Sequence, residues 1–133
     1  MEGIKNKIIL AGDLGGTHIR LSFIEILPDK NFKILQTWNK KTKDSTNLVN
    51  DLLNAINDTK LNPEAIVLGI AGPVDECRGE VPILVDVPQW GKICERDISQ
   101  ATGIPKVKLM NDFVANAYGV AAIQKEDEIL RVY

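Results

Sequence analysis

Histidine and cysteine are scarce in this sequence. His18 is the single histidine, and Cys77 and Cys94 are the two cysteines. Protein zinc sites need several such ligands at short spacings, and these three residues supply neither the number nor the spacing. The sequence therefore predicts no His/Cys zinc site, and two free thiols of the kind found in reducing compartments.

Long apolar runs and an excess of basic residues are also missing. The longest apolar stretches, such as Ala65–Ala71, fall far short of the roughly 20 residues that a bilayer-spanning helix needs. The first apolar run is too short for a signal peptide. Lys and Arg number 16 against 18 Asp and Glu, which gives a net charge of −2. We therefore expect a cytoplasmic protein that binds neither membranes nor nucleic acid.

The first part of the chain predicts three consecutive strands. Its 133 residues are 44% hydrophobic, enough for one packed core. Lys7–Ala11 ends in a continuous apolar run, which is typical of a buried strand. Apolar residues then alternate with polar ones from Ile19 to about Leu27, and Phe32–Trp38 can form a third strand after a turn. Short connections between three strands predict an antiparallel meander.

Helices and strands alternate after this meander. Apolar residues from Leu48 to Ile56 fall on one helical stripe, with Ser45 or Thr46 in position to cap its first turn. The later pattern predicts a strand over Ala65–Ile70, a surface loop or small hairpin over Val74–Leu84, a helix over Trp90–Gly103, a strand over Val107–Met110 and a helix from Asp112. This order predicts an α/β fold, a mixed sheet with helices on its faces.

The first candidate site is the glycine-rich connection between the first two strands, Gly12–Thr17. Glycines let backbone N–H groups approach a phosphate closely, and one of the adjacent pair Gly15 and Gly16 is expected to need a positive φ. The Thr17 hydroxyl adds a donor, and Asp13 can hold Mg²⁺ through water. The same pattern is also typical of a plain tight turn.

The second candidate site is the pair Asn111 and Asp112, where a strand ends and a helix begins. Asp112 suits either a helix N-cap or a ligand contact at the carboxyl end of a strand. Asn111 offers both a donor and an acceptor, which suits paired sugar hydroxyls. Gly72 and Pro73 also follow a strand directly, although such a pair is by default a turn. We expect these strand ends to converge on one crevice.

Four segments in the order LAGDLGGTHIRLSF, GIAGPV, DVPQW and LMNDFVANAYG closely resemble the bacterial glucokinase family. The resemblance implies an actin-like ATPase (ribonuclease H-like) lobe and ATP-dependent phosphorylation of glucose, with ATP and Mg²⁺ as cofactors. It implies that Asp112 is the catalytic base and that Asn111, Asp112 and Gly72 bind the sugar. It also implies that the hairpin binds the ATP phosphates through Gly12, Asp13, Leu14, Gly15, Gly16 and Thr17.

The sequence departs from that family at two motifs. His18 stands where these enzymes often have Asn, and the segment from Asp86 to Trp90 carries an inserted Gln. The resemblance further implies two lobes, with residues 1–111 as the small N-terminal lobe and residues 112–133 as the truncated start of the second. We therefore expect this chain alone to be inactive.

Other functions stay open at this point. The same lobe occurs in non-catalytic sugar-sensing modules and could equally serve another ATPase or hexose kinase of this fold. The hexose preference, the phosphoryl donor and association into a homodimer are also left open by the sequence.

Overall fold

A computed structural model describes residues 7–28, 31–75, 77–84 and 87–111 of the chain. Seven strands and two helices lie within these ranges, at the following bounds: β1 Lys7–Leu14, β2 His18–Ile26, β3 Phe32–Lys41, α1 Leu48–Thr59, β4 Ala65–Ile70, β5 Glu80–Val81, β6 Ile93–Cys94, α2 Glu95–Thr102 and β7 Lys106–Asn111. Short 3₁₀ turns occur at Thr42–Asp44 and Pro88–Trp90. The predicted helix from Asp112 and the predicted lobe boundary after residue 111 lie outside the described residues.

Five strands form one mixed sheet in the order β3-β2-β1-β4-β7. The pairs β1–β2 and β2–β3 are antiparallel, and the pairs β1–β4 and β4–β7 are parallel. The predicted meander and mixed sheet are therefore confirmed. The strands that alternate with helices run parallel because each helix returns the chain to the starting edge of the sheet.

The main core lies between one face of this sheet and the two helices. α1 presents the apolar stripe that its sequence predicts, with Leu48, Leu52 and Ala55 buried. α2 buries Ile98 against the same cluster. A smaller apolar group on the opposite face contains Ile9 and Ala65.

The cap of α1 differs from the prediction of Ser45 or Thr46. Asn47 is the N-cap, and its side-chain oxygen accepts a hydrogen bond of 3.0 Å from the backbone N–H of Asn50. Ser45 cannot serve because its hydroxyl is engaged elsewhere, with Asp51 and Trp90. The helix ends at Lys60, which adopts the left-handed conformation with φ 59°.

β1 is three residues longer than predicted, because the strand continues through Gly12 and Asp13 to Leu14. Gly12 pairs with Leu21 on one side and with Leu68 on the other. A Cβ at Gly12 would lie 2.5 Å from Leu68 Cδ2 and 3.0 Å from Leu21 Cδ2. Glycine at position 12 therefore leaves space for the side chains of Leu21 on β2 and Leu68 on β4, which pack over β1.

The predicted helix over Trp90–Gly103 is wrong at its start. The structure has a 3₁₀ turn at Pro88–Trp90, and α2 begins only at Glu95. Between them, β6 pairs with β5 in a small antiparallel sheet. The segment predicted as a surface loop or small hairpin contains a small hairpin, since Asp75 and Glu80 form an antiparallel bridge. Two-residue strands carry too little periodicity to be recognised in a sequence. Among the described residues, no helix is long and apolar enough to cross a membrane.

Candidate active site

The carboxyl ends of the three parallel strands lie in one row. Leu14 at the end of β1 pairs with Ile70 at the end of β4, and Ile70 pairs with Asn111 at the end of β7. Open α/β sheets bind ligands at this edge, because the loops that leave the strands can diverge there to form a crevice. The glycine hairpin, the Gly72–Pro73 turn and Asn111 therefore do lie at one edge of the sheet, as the sequence predicted.

A pocket of about 210 Å³ opens at this edge. The end of β1 and the hairpin form one side, and the turn after β4 forms the floor. The segment that leads into the Pro88–Trp90 turn forms the opposite wall. The lining residues are Leu14, Gly15, Gly16, Ala71, Gly72, Pro73, Ile83, Leu84, Val87 and Trp90. The pocket thus brings two of the predicted segments together and adds a wall that the sequence analysis did not place.

The hairpin tip is closed by backbone hydrogen bonds. The N–H of Gly15 donates to the carbonyl of His18 at 3.0 Å. Thr42 donates to the Gly15 carbonyl through its hydroxyl and to the Thr17 carbonyl through its N–H. The expectation that Gly15 or Gly16 needs a positive φ is wrong. Within the described residues, the glycines with positive φ are Gly72, Gly79, Gly91 and Gly103. The paired glycines instead leave the tip without side chains, so that a ligand can approach its backbone.

Asn111 is tied to the turn after β4. Its side-chain Nδ2 donates to the carbonyl oxygen of Gly72 at 2.5 Å. A Cβ at Gly72 would lie 2.9 Å from Leu84 Cδ2, so a side chain there would displace the wall. Asn111 and Gly72 therefore form one unit at the pocket edge. Asp112, the predicted base, lies outside the described residues.

Other predicted phosphate and metal residues do not line the pocket. Gly12 lies within the sheet, while Asp13 and Thr17 are exposed on β1 and at the hairpin tip. His18 Nδ1 lies 3.2 Å from the Thr17 hydroxyl. Over the described ranges there is no group of three or more His, Cys, Asp or Glu side chains that could hold a metal ion.

The sequence analysis missed a polar cluster behind the pocket. Thr42, Ser45 and Asp51 are buried, and the indole of Trp90 reaches them from the opposite wall. Hydroxyl residues at the end of a strand carry no local signal of such contacts. Only their partners, up to 45 residues away, reveal the role.

The glucokinase family profile matches residues 10–132, nearly the whole chain. The chain belongs to the glucokinase family. It is 31% identical to the glucokinase of Nostoc punctiforme over 123 residues, which cover 90% of this chain and 34% of that protein. The chain thus spans about a third of the length of this curated relative.

Solved structures agree on the fold. A glucokinase from an Antarctic psychrotroph superimposes with a TM-score of 0.72 at 26% identity, covering 84% of this chain and 34% of that one. The ROK family glucokinase of Streptomyces griseus, solved with glucose and AMPPNP, gives a TM-score of 0.63 at 23% identity, covering 84% and 35%. The five-stranded mixed sheet with its helices is the actin-like ATPase fold of these sugar kinases.

Proposed function

We propose that the complete protein transfers the γ-phosphoryl group of ATP to glucose, giving glucose 6-phosphate, and that this chain supplies its N-terminal lobe. The observation that supports the proposal most is the row formed by Leu14, Ile70 and Asn111. The glycine hairpin and Gly72 line one pocket beside this row, and Asn111 is bonded to Gly72 at its edge. Membership of the glucokinase family supports the same reaction. Residues 1–111 would form this lobe, and residues 112–133 would begin the second.

The nucleotide side of the proposed site is the hairpin. Gly16 and Thr17 present backbone N–H groups and one hydroxyl on a tip free of large side chains, which suits phosphate oxygens. Asp13 is exposed at the end of β1 and fits a role in holding Mg²⁺ through water, since Mg²⁺ keeps several waters and takes few protein ligands. When bound, the ion supplies charge neutralisation of the phosphates.

The sugar side of the proposed site is the neighbouring strand end. Asn111 would orient sugar hydroxyls, and Gly72 would keep the turn close enough for contact. Asp112 would accept the proton of the hydroxyl that attacks the phosphorus atom. Most of the rate enhancement in phosphoryl transfer comes from alignment and electrostatic stabilisation, so these groups need mainly to hold the reactants in line.

A phosphotransfer assay on the complete gene product tests this proposal. Glucose, mannose, fructose and N-acetylmannosamine should be offered with MgATP, and glucose again with MgADP and polyphosphate. We expect glucose and MgATP to give the highest kcat/KM. Sugar binding without transfer would instead indicate a sensing module, and ATP hydrolysis that no sugar stimulates would indicate a different ATPase. Either result would overturn the proposal.

A further inference from the structure

The turn that follows β3, Thr42–Ser45, is hydrogen-bonded to residues on both sides of the pocket. Thr42 and Ser45 are each 1% exposed, so the polar atoms of both side chains are shielded from water. The two residues are also joined directly, because the N–H of Ser45 donates to the Thr42 carbonyl at 3.0 Å. Neither residue lines the pocket, so any effect on a ligand must pass through the residues that they hold.

Thr42 controls the orientation of the hairpin backbone. Its hydroxyl donates to the carbonyl of Gly15 at 2.8 Å, and its N–H donates to the carbonyl of Thr17 at 2.9 Å. In a planar trans peptide the carbonyl and the following N–H point in opposite directions. Holding the Gly15 carbonyl toward Thr42 therefore turns the N–H of Gly16 away from Thr42. Thr42 fixes the direction of a donor at the tip without meeting the ligand itself.

Ser45 controls the opposite wall in the same way. The Trp90 indole Nε1 donates to Ser45 Oγ at 2.7 Å, and the Gln89 side chain donates to the Ser45 carbonyl at 3.0 Å. The Ser45 hydroxyl donates in turn to the carboxylate of Asp51, which also accepts from Lys40 Nζ at 3.1 Å. Each donor in this series of hydrogen bonds has one acceptor, so the direction of donation is fixed from Trp90 through Ser45 to Asp51. Trp90 is thereby held in one orientation at the pocket wall.

We propose that Thr42 and Ser45 are positioning residues that set the two walls of the pocket independently, Thr42 for the nucleotide phosphates and Ser45 for the sugar side. This inference rests on the proposed function, because it takes the ligands from there. It goes further by assigning separate roles to two buried hydroxyls that contact no ligand. The separation follows from the contacts, since Thr42 bonds to the hairpin and Ser45 bonds to the Gln89–Trp90 segment.

Thr42→Val and Thr42→Ser in the complete gene product test the first half. Valine keeps the shape and removes the hydroxyl, whereas serine keeps the donor. We expect Thr42→Val to raise the KM for MgATP about tenfold, because the Gly15 carbonyl loses its donor and the Gly16 N–H is no longer held in one direction. The KM for glucose should stay within about twofold, and Thr42→Ser should restore most of the loss. Equal effects on both substrates, or no rescue by serine, would overturn this half.

Ser45→Ala tests the second half with the opposite expectation. The KM for glucose should rise about fivefold to tenfold while the KM for MgATP changes little, since of the two pocket walls only the one at Trp90 loses a hydrogen bond. The Trp90 fluorescence, taken as the difference between each protein and its Trp90→Phe variant, should shift as the indole loses its partner. Thr59→Val is the matched control, because it removes a hydroxyl bonded at 2.8 Å to Ala55 at the other end of α1. The control should lower stability without changing either KM. A change in the MgATP KM of Ser45→Ala as large as its glucose effect, or an unchanged Trp90 signal, would overturn this half.

Amide hydrogen exchange separates this inference from the proposed function. Exchange in a peptide spanning residues 14–21 should be faster in Thr42→Val than in wild type or Thr42→Ser, and unchanged over β4. This readout needs no catalytic activity. Altered exchange in a protein without phosphotransfer would contradict the proposed function and leave the backbone role of Thr42 supported. Unaltered exchange in an active kinase would overturn the role of Thr42 alone.

Discussion

Gly12→Ala should destabilise the protein, although alanine is the smallest possible addition. Its Cβ would lie 2.5 Å from Leu68 Cδ2, whereas carbon atoms in good contact are about 3.5–4.0 Å apart. Leu68 must therefore shift by about 1 Å or more. Leu68 is fully buried. The new methyl group cannot move away from Leu68 either, because Leu21 Cδ2 lies 3.0 Å from it on the other side.

The net cost can be worked from two opposing terms. Overpacking a buried site costs about 1–3 kcal/mol. Replacing a strand glycine by alanine returns about 0.5–1 kcal/mol of backbone entropy. The balance is a loss centred on about 1 kcal/mol, with limits of about 0 and 2.5 kcal/mol. In domains of about 60–250 residues each kcal/mol lowers Tm by about 2–8 °C, so we expect the lobe that contains Gly12 to unfold at a temperature lower by a few degrees.

Thermal and urea unfolding of the complete gene product measure this effect, and Gly15→Ala is the matched control. A Cβ at Gly15 would lie 3.4 Å from the His18 carbonyl oxygen, an ordinary contact, and Gly15 has no positive φ. We expect Gly15→Ala to leave Tm nearly unchanged while weakening MgATP binding at the tip. A Gly12→Ala protein as stable as the control would refute the packing role of Gly12.

Three further predictions concern the proposed base and the ends of α1. Asp112→Asn should lower kcat by at least about 10²-fold while retaining glucose binding in a calorimetric titration, and more than about a tenth of wild-type turnover would contradict its role as base. Asn47→Ala should cost about 1 kcal/mol in urea unfolding, because the N–H of Asn50 loses its acceptor; an unchanged midpoint would contradict the cap. Lys60→Gly should raise stability by about 0.5–1 kcal/mol, since glycine adopts φ 59° without strain, and a lower Tm would show that the lysine side chain contributes more than its backbone costs.

Elements with a long, local hydrophobic pattern could be predicted from the sequence. β4 has the predicted bounds of Ala65–Ile70, because an apolar run lies between residues that end strands. The meander and the stripe of α1 follow from periods of two and 3.6 residues in the same way. The convergence of three strand ends was also predictable, since parallel strands deliver their carboxyl ends to one edge.

Features that depend on distant partners could not be predicted. The continuation of β1 through Gly12 depends on Leu68 in another strand, and Ser45 does not cap α1 because it bonds to Trp90. Thr42 donates to the carbonyl of Gly15, 27 residues earlier in the chain, and no sequence pattern predicts this hydrogen bond. Each of these contacts forms only when the sheet has assembled, so the local secondary-structure propensity of the sequence does not predict it.

A crystal structure of the complete gene product with glucose and a non-hydrolysable ATP analogue tests the central claim most directly. The account predicts phosphate oxygens within hydrogen-bonding distance of the backbone N–H groups of Gly16 or Thr17. It also predicts sugar hydroxyls against Asn111 and Asp112, in the pocket walled by Trp90. A nucleotide whose phosphates lie away from the hairpin, or a sugar bound away from the end of β7, would contradict it.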